Sequence, residues 1–442
     1  MSQRVPLTPV LAVAVLIGAF VSNAGSAFGA QRLPSQALPF DVDHLKIAYR
    51  FKAGSDGAGP YGPLIADASG NLYGTTTFGG GTGCSFNAGC GTVFKLTPTK
   101  TGYAESVLYG FAGGNDGDGP QGGVIMDHSG ALYGTTERGG GSADNGTVFK
   151  LTPGKSGYTE QVLYRFAGGS DGSSPLGGLV ADPSGVLYGT TLIGGGALRC
   201  SGGCGIVFEL VPSGSGYRER ILHRFTSGSD GATPADSLLI DAQGALYGTA
   251  ATGGVPSCAG SAPINRGCGN VFELTAGKAH FAFSVLHEFR GGKDGENPFG
   301  TLAVDDAGAF YGTTEYGGLK NLGTVFKLTP SASSYAHATL HQFSGPDGEY
   351  VLNGPSLDSA GNVYGTATYG GTSRNAGTVF ELSPTSRGYA FKVLHRFTDA
   401  TGNGGANSLT TPIVVDAAGD LVGATNGGGS QIFAGTIFEV KP

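Results

Sequence analysis

The chain has no tryptophan and only two methionines among its 442 residues, and charged residues make up only 13% of it. Basic residues are also scarce, with 26 Lys and Arg against 33 Asp and Glu, which gives a formal net charge of −7. Because nucleic-acid binding needs a basic footprint, this balance excludes DNA and RNA as expected partners. A second long apolar run is missing after the N-terminus, so we expect no membrane span once the N-terminal segment is removed.

Glycine is abundant, with 83 residues, although 39% of the residues are hydrophobic. This much glycine is typical of collagen-like or disordered chains. Here, however, the glycines fall at fixed places between short apolar runs. The composition therefore favours a folded, turn-rich, all-β protein.

The N-terminus has the pattern of a secretory signal, with Arg4 before the apolar run VLAVAVLIGAFV and the small residues SNAGSAFGA after it. Three alanines could precede the cleavage site: Ala24, Ala27 and Ala30. An uncleaved membrane anchor is the alternative. We expect a signal peptide over 1–30, an N-terminal extension over 31–45, and a secreted, periplasmic or cell-surface location.

A motif of the form LYGTT recurs seven times. Its tyrosine position is occupied by Tyr73, Tyr133, Tyr188, Tyr247, Tyr311, Tyr364 and, in the degenerate last copy, Val422. Each copy contains four apolar pieces in the same order, separated by turn signals. Four short strands repeated seven times predict a seven-bladed β-propeller of four-stranded blades, with an open solenoid as the alternative.

The phase of the repeat predicts how the ring closes. The stretch KIAYRF at 46–51 matches the fourth piece of a blade, and the last copy has no fourth piece of its own. We therefore expect strand 46–51 to complete the last blade, so that 46–442 forms a single propeller domain without an open edge.

The stretch NLYGTTTFGG…GTVFKLTP and its copies resemble the GloVer-type tandem repeat family of exported bacterial proteins, from about Lys46 onward. The resemblance implies propeller-like repeats and a secreted or surface location, and it brings no settled biochemical activity. The family's various C-terminal anchors have no counterpart in the ending FEVKP.

The six cysteines all fall between the second and third strands, in copies one, three and four. In an exported protein this spacing predicts three local disulfides: Cys84 with Cys90, Cys200 with Cys204, and Cys258 with Cys268. A zinc site is not expected from them, because three or four ligands would have to come together from different blades.

The long, varied loops are expected on one face, the face that carries the cysteines. A repeated Asp-Gly marks the blade-to-blade loops, at Asp56, Asp116, Asp171, Asp230, Asp294 and Asp347, with Asp399 in a divergent seventh loop. These aspartates are either turn residues or ligand-binding candidates that form a ring of carboxylates at the pore mouth, able to hold Ca²⁺ or attract a cationic ligand. No cofactor is predicted, and Ca²⁺ is only weakly indicated, because one carboxylate per blade does not supply its several ligands.

Residues after the repeated Thr-Thr change from copy to copy and are candidates for ligand contact. They are Phe78, Glu137, Arg138, Glu315, Tyr316 and Tyr369. Four histidines also recur, at the place where other copies carry tyrosine, and we interpret them as partly buried, hydrogen-bonded aromatic residues: His223, His287, His341 and His395.

The sequence contains no recognisable catalytic constellation, and no catalytic residue is predicted. The leading hypothesis is an exported, non-catalytic propeller that binds an extracellular carbohydrate or protein on the disulfide-bearing face. The first alternative is a propeller enzyme, a polysaccharide lyase or hydrolase, that uses carboxylates at the pore mouth. The second is a structural cell-surface repeat protein.

Overall fold

The computed structural model describes residues 45–442, except for 82, 85–87, 101, 215, 255–257, 259–266, 278–279, 333, 399–410, 417 and 429–433. The expected signal peptide, the expected extension up to residue 44, and Asp399 lie outside the described residues. Within the described part of the chain, no helix is long and apolar enough to cross a membrane.

Seven antiparallel four-stranded sheets make up the fold, which confirms the predicted seven-bladed β-propeller. Blades are numbered here by the copy of LYGTT that they contain, and in each blade the strand order is first, second, third, fourth. The first strands are Ile65–Ala66, Val124–Met126, Val180–Ala181, Leu239–Ile240, Glu296–Val304, Ser356–Leu357 and Val414–Val415. The second strands are Leu72–Thr76, Leu132–Thr136, Leu187–Thr191, Leu246–Ala250, Phe310–Tyr316, Val363–Ala367 and Leu421–Thr425.

The third and fourth strands are longer than the first strands of most blades and form the outer half of each blade. The third strands are Thr92–Pro98, Thr147–Gly154, Ile206–Ser213, Asn270–Ala276, Thr324–Pro330, Thr378–Thr385 and Thr436–Val440. The fourth strands of blades 1 to 6 are Tyr103–Gly110, Gly157–Arg165, Gly216–Arg224, Phe281–Glu288, Tyr335–Gln342 and Gly388–Arg396. One short 3₁₀ turn, Gly292–Asp294, precedes blade 5.

The N-terminal strand closes the ring, as predicted. Leu45–Arg50 pairs antiparallel with the third strand of blade 7, with Leu45 opposite Val440 and Arg50 opposite Thr436. The strand begins and ends one residue earlier than the predicted 46–51. Phe51 follows it, fully buried, and its backbone N–H donates to the carbonyl of Gly435 at 3.1 Å.

The glycine of LYGTT makes room for a phenylalanine of the same blade. A Cβ built on Gly74 would lie 2.7 Å from both the Phe94 ring and the Leu64 side chain. The same fully buried phenylalanine occurs in each third strand: Phe94, Phe149, Phe208, Phe272, Phe326, Phe380 and Phe438. The repeated glycine in a strand, costly on its own, is therefore explained by the core inside each blade rather than by the neighbouring blade.

A repeated turn follows the first strand of each blade, and an aspartate caps it. In blade 1, Asp67 accepts hydrogen bonds from the backbone N–H groups of Ser69 and Asn71 at 2.9 and 3.0 Å. The hydroxyl of Tyr73 donates to the same carboxylate at 3.0 Å. The LYGTT tyrosine thus ties the second strand to the turn that precedes it.

Glycines bring the blades close together around the axis. A Cβ on Gly122 would lie 2.5 Å from the backbone of Gly177, and a Cβ on Gly177 would lie 2.5 Å from the backbone of Asp236. A second-strand threonine of one blade also donates to the next blade, as Thr135 does to the carbonyl of Gly177 at 2.9 Å. Backbone contact between blades therefore leaves little open space along the axis.

Candidate functional site

The space that remains on the axis is a cavity of about 60 Å³. All seven blades line it, and among its side chains are Tyr61, Gln121, Leu176, Asp236, Asn353 and Pro412. Asp236 accepts a hydrogen bond from the backbone N–H of Gly300 at 2.7 Å, and burial raises the pKa of this carboxyl to about 6. In the corresponding place, blades 1, 2, 3 and 5 carry glycine.

The variable residues after Thr-Thr lie at two adjacent positions of the chain in blades 1 to 6. There the end of the second strand pairs with the segment that enters the first strand of the same blade. The pairs are Ala58 with Phe78, Asp118 with Arg138, Ser173 with Ile193, Ala232 with Thr252, Glu296 with Tyr316, and Glu349 with Tyr369. Phe78, Arg138, Tyr316 and Tyr369 therefore occupy equivalent positions, and Glu137 and Glu315 each precede one of them by one residue.

Two tyrosines at these positions, Tyr316 and Tyr369, form a continuous aromatic arc over blades 5 and 6 together with Tyr350, which follows Glu349 in the chain. The rings of Tyr316 and Tyr350 are 5.5 Å apart, and those of Tyr350 and Tyr369 are 6.1 Å apart, both edge to face. All three are partly exposed. Tyr61 lines the axial cavity on blade 1.

Phe78 extends the arc on blade 1. A Cβ built on Gly59 would lie 3.4 Å from the Phe78 ring and 3.5 Å from the Tyr61 ring. The two rings therefore flank the same glycine.

Buried acids stand beside these aromatic residues. Glu137 is only 7% exposed and accepts a hydrogen bond from the Gln121 amide at 2.7 Å. Burial raises the pKa of Glu137, and the neighbouring Arg138 partly offsets this. Arg138 is itself paired with Asp118 at 3.2 Å.

Glu315 has a similar setting on blade 5. Burial raises the pKa of its carboxyl, and hydrogen bonds with Tyr316 and Asn297 act in the opposite direction. Glu137 and Glu315 are therefore acids that are partly withdrawn from water and already held by polar neighbours. Together with the aromatic arc they form what we name the axial mouth: Tyr61, Phe78, Gln121, Glu137, Arg138, Glu315, Tyr316, Tyr350 and Tyr369.

Tyr350 has an unusual backbone. Its φ is 52°, in the left-handed region. The equivalent residues of blades 1 and 2 are Gly59 and Gly119, and those of blades 3, 4 and 5 are Ser174, Thr233 and Asn297, all with positive φ. A bulky side chain is rarely found in this conformation and costs on the order of 1 kcal/mol or more.

The Asp-Gly aspartates lie beside the outermost strands and not at the pore mouth, and none of the six lines the axial cavity described above. Each accepts a hydrogen bond from a ring on the preceding fourth strand: Tyr49, Tyr109, Tyr164, His223, His287 and His341. Each also accepts one from a backbone N–H in its own loop, at 2.6 to 3.0 Å. The aspartates Asp56, Asp116, Asp171, Asp230, Asp294 and Asp347 are thus turn residues tied to the outer strand.

A side chain from the next blade covers each of these aromatic–aspartate pairs. Where the ring is tyrosine, the covering residue is a glutamate: Glu105, Glu160 or Glu219. Where the ring is histidine, it is an aromatic ring stacked within 12° of parallel: Phe283, His337 or Phe391. At this outer rim, a tyrosine on one blade is therefore paired with a glutamate on the next blade, and a histidine with a stacked aromatic ring.

The three predicted disulfides are confirmed: Cys84–Cys90, Cys200–Cys204 and Cys258–Cys268. They brace the blade-to-blade loops. A Cβ built on Gly113 would lie 2.5 Å from the Cys84 sulfur, and one on Gly291 would lie 3.2 Å from the Cys258 sulfur. Both glycines belong to the Asp-Gly turn that leads into the next blade.

The ligand-contact candidates predicted from the sequence lie at the ends of the second strands of blades 1, 2, 5 and 6: Phe78, Glu137, Arg138, Glu315, Tyr316 and Tyr369. The structure adds Tyr61, Gln121 and Tyr350 as candidates, and these lie in the segments entering the first strands. A signal for Tyr61 and Gln121 was present, since the residue after the Pro of these segments also changes from copy to copy.

Fold and geometry together define a seven-bladed β-propeller with a nearly closed axis and an aromatic, acidic mouth. The chain belongs to the Gloeobacter/Verrucomicrobia repeat family, which matches residues 37–263 and 257–442. No curated protein matches it in sequence.

Several solved structures are similar at low identity. PorZ, a surface component of the type-IX secretion system of Porphyromonas gingivalis, is 13% identical, with 87% of this chain and 47% of PorZ covered and a TM-score of 0.47. A gluconolactonase from Xanthomonas campestris is 12% identical, with 93% and 99% covered and a TM-score of 0.42. A protein from Lactobacillus plantarum is 14% identical, with 76% and 84% covered and a TM-score of 0.44. Likeness at this level carries no information about activity.

Proposed function

We propose that the protein is exported and binds a carbohydrate across the axial mouth without transforming it. Export is supported by the three local disulfides, because such bonds persist in oxidising compartments. Carbohydrate binding is supported by the chemistry of the mouth. The observation that carries the proposal is the aromatic arc of Tyr316, Tyr350 and Tyr369 beside the acids Glu137 and Glu315.

Sugar rings have apolar C–H faces and a rim of hydroxyl groups, so they need both aromatic surface and polar partners. The partly exposed tyrosines offer the first, and tyrosine combines an apolar body with a polar tip. Glu137 and Glu315 offer acceptors, and Gln121 and Arg138 offer donors. A few fixed polar groups in an apolar setting are what orient a bound ligand.

The size of the axial cavity favours binding over the mouth rather than inside the propeller. Pockets that enclose a small molecule usually have about 300–1,000 Å³, whereas the axial cavity has about 60 Å³. A sugar ring does not fit within it. We therefore expect a polysaccharide, or the end of a glycan, lying across the face.

The side chain of Tyr350, and not its backbone, distinguishes this position from its counterparts in blades 1 to 5. Ser174, Thr233 and Asn297 share the positive φ, so the conformation belongs to the repeat. Glycine adopts it without strain, and blades 1 and 2 carry glycine there. A large aromatic ring at the centre of the arc, where blades 1 to 5 have smaller residues, supports ligand contact.

The test begins with a panel of soluble polysaccharides and a glycan array, followed by calorimetric titration of each positive sugar. Tyr350→Gly is the decisive variant, because it removes the ring and relieves the backbone strain at once. We expect at least tenfold weaker binding with an unchanged or higher Tm. Ser174→Gly, the same backbone change in blade 3, is the matched control and should bind as the native protein does.

Two results would refute the proposal: no binding to any sugar of the panel, or equal affinity in the native and Tyr350→Gly proteins. Capture of a protein ligand by the same face, with no sugar bound, would favour the protein-binding alternative instead. Release of reducing ends from a bound polysaccharide would show catalysis and overturn the non-catalytic part of the proposal.

A further inference from the structure

The junction between blades 4 and 5 differs from the other described junctions, because two histidines face one aspartate there. His287 lies on the fourth strand of blade 4 and His337 on the fourth strand of blade 5. His287 Nε2 and His337 Nδ1 each lie 3.2 Å from the same oxygen, Oδ1 of Asp294. The three ligand atoms lie within 4.8 Å of one another.

We propose that His287, Asp294 and His337 form a binding site for a divalent transition-metal ion such as Zn²⁺. Imidazole and carboxylate are ligands that zinc takes in proteins, with bonds of about 2.0–2.2 Å. Tetrahedral geometry then places two ligand atoms about 3.3 Å apart. Both N···O separations in the structure are already 3.2 Å, close to this spacing.

The site is open to solvent. The three side chains keep 14–22% of their surface exposed, so an ion can enter and a water molecule can supply a fourth ligand.

Two other junctions between neighbouring blades, which we call the sister junctions, show what the second histidine adds. His223 with Asp230 is covered by Phe283, whose ring lies 4.0 Å from that of His223. His341 with Asp347 is covered by Phe391 at 3.6 Å. Stacking alone is therefore served by phenylalanine, and only His337 turns a nitrogen towards the carboxylate. Among the described residues, no other group of this kind is free of disulfide cysteines.

Metal binding would change the angle between the two rings. They now stack at 4.3 Å and 6° from parallel, and a nitrogen lone pair lies in the plane of its ring. A common ion requires the rings to tilt towards each other. Since the two rings belong to adjacent blades, the bound ion would cross-link blades 4 and 5.

The experiment is a calorimetric titration of chelator-treated full-length protein with Zn²⁺, repeated with Co²⁺, whose visible absorption reports tetrahedral coordination. His337→Phe is the main variant, because phenylalanine fills the same slot at the two sister junctions. His287→Tyr is the second, because tyrosine bonds the equivalent aspartate in blades 1, 2 and 7. We expect one equivalent of Zn²⁺ to bind the native protein and at least tenfold weaker binding in each variant.

Folding of the variants is checked by their Tm without metal, and Phe391→His provides a gain-of-site control. It should add a second equivalent at His341 and Asp347. The proposal fails if the native protein binds no Zn²⁺ or shows no tetrahedral Co²⁺ spectrum. It also fails if folded His337→Phe binds as tightly as the native protein, since the ion would then be held by other surface groups.

Discussion

Three glutamates at the outer rim make the stability of the propeller depend on pH. Burial, and then the charge of the facing aspartate, raise the pKa of Glu105, Glu160 and Glu219 from about 4.5 to about 7. One carboxylate oxygen of each is buried with no hydrogen-bond partner among the described residues. Ionisation of these glutamates therefore places two negative charges together where little water can screen them. We predict that replacing all three by glutamine removes this effect.

The direction and size of the effect follow from the pKa values. An acid whose pKa is higher in the folded state favours folding at low pH, and that stability is lost as pH rises from about 4.5 to about 7. A shift of about 2.5 units at about 1.36 kcal/mol per unit gives at most about 3.4 kcal/mol for each group. The glutamates are partly exposed, and solvent screening reduces this to about 1 kcal/mol each.

The combined effect of about 3 kcal/mol is measurable as a change in Tm. With about 400 folded residues and an unfolding entropy of about 2.1 cal/mol/K per residue, it corresponds to about 3–4 °C. Scanning calorimetry is the suitable assay, because the chain has no tryptophan to report unfolding by fluorescence. Between pH 5 and pH 8, the Tm of the Glu105→Gln/Glu160→Gln/Glu219→Gln protein should rise by this amount relative to that of the native protein.

The native protein and the triple glutamine variant share all their other titratable groups. The difference between their Tm values therefore cancels the contributions of those shared groups. His337, whose pKa is lowered to about 4, contributes the opposite slope, with stability rising between about pH 4 and pH 6.5, and it does so in both proteins. Asp306→Asn, at an exposed site, serves as the control and should leave the slope unchanged. A Tm difference that does not vary with pH, or a triple variant that is less stable at pH 8, would refute the reasoning.

Three further predictions concern the repeated framework of the blades. Gly74→Ala places a Cβ 2.7 Å from Phe94 and Leu64, and this overpacking should lower the free energy of unfolding by about 1–3 kcal/mol. Gly216→Ala is the control: a Cβ there has nothing within 4 Å, and the calorimetric Tm should stay within about 1 °C of the native value. Replacing Cys84 and Cys90 together by serine should lower the free energy of unfolding by about 2 kcal/mol. An unchanged Tm would show that the loop is held by other contacts. A chain beginning at Lys52 lacks the strand Leu45–Arg50 that closes blade 7; we expect it to aggregate on size-exclusion chromatography, and a stable monomer would contradict the closure argument.

The propeller was predictable because every blade repeats the same residues for the same local reasons. The aspartate that caps the turn, the tyrosine that bonds to it and the phenylalanine of the third strand recur at fixed spacings. Strand 45–50 could be assigned to blade 7 because one surplus strand matched one missing strand. The role of the glycine in LYGTT was not predictable, because the sequence does not say which ring lies above it.

The candidate site was only partly predictable, since it depends on how loops cross the top of the ring. Tyr316 and Tyr369 stood out as departures from a repeated frame. Tyr350 lies in a divergent loop, and its left-handed backbone is not visible in the sequence. The outer position of the Asp-Gly aspartates had a signal, because a tyrosine or histidine precedes each by six or seven residues, as Tyr49 precedes Asp56.

The disulfides and the proposed ligand-contact residues are distributed differently among the blades. Two of the three lie in blades 3 and 4, where the mouth positions hold Ile193 and Thr252 rather than an aromatic ring or an acid. Blades 5 and 6, which carry the aromatic arc, have no cysteine. If the disulfide loops bound the ligand themselves, cysteines and mouth residues should occur in the same blades. Apart from blade 1, which has both, the disulfides and the aromatic or acidic mouth residues occur in different blades. This distribution is a reason to propose that the disulfides hold the blade-to-blade turns and that the proposed carbohydrate contacts blades 5, 6, 1 and 2.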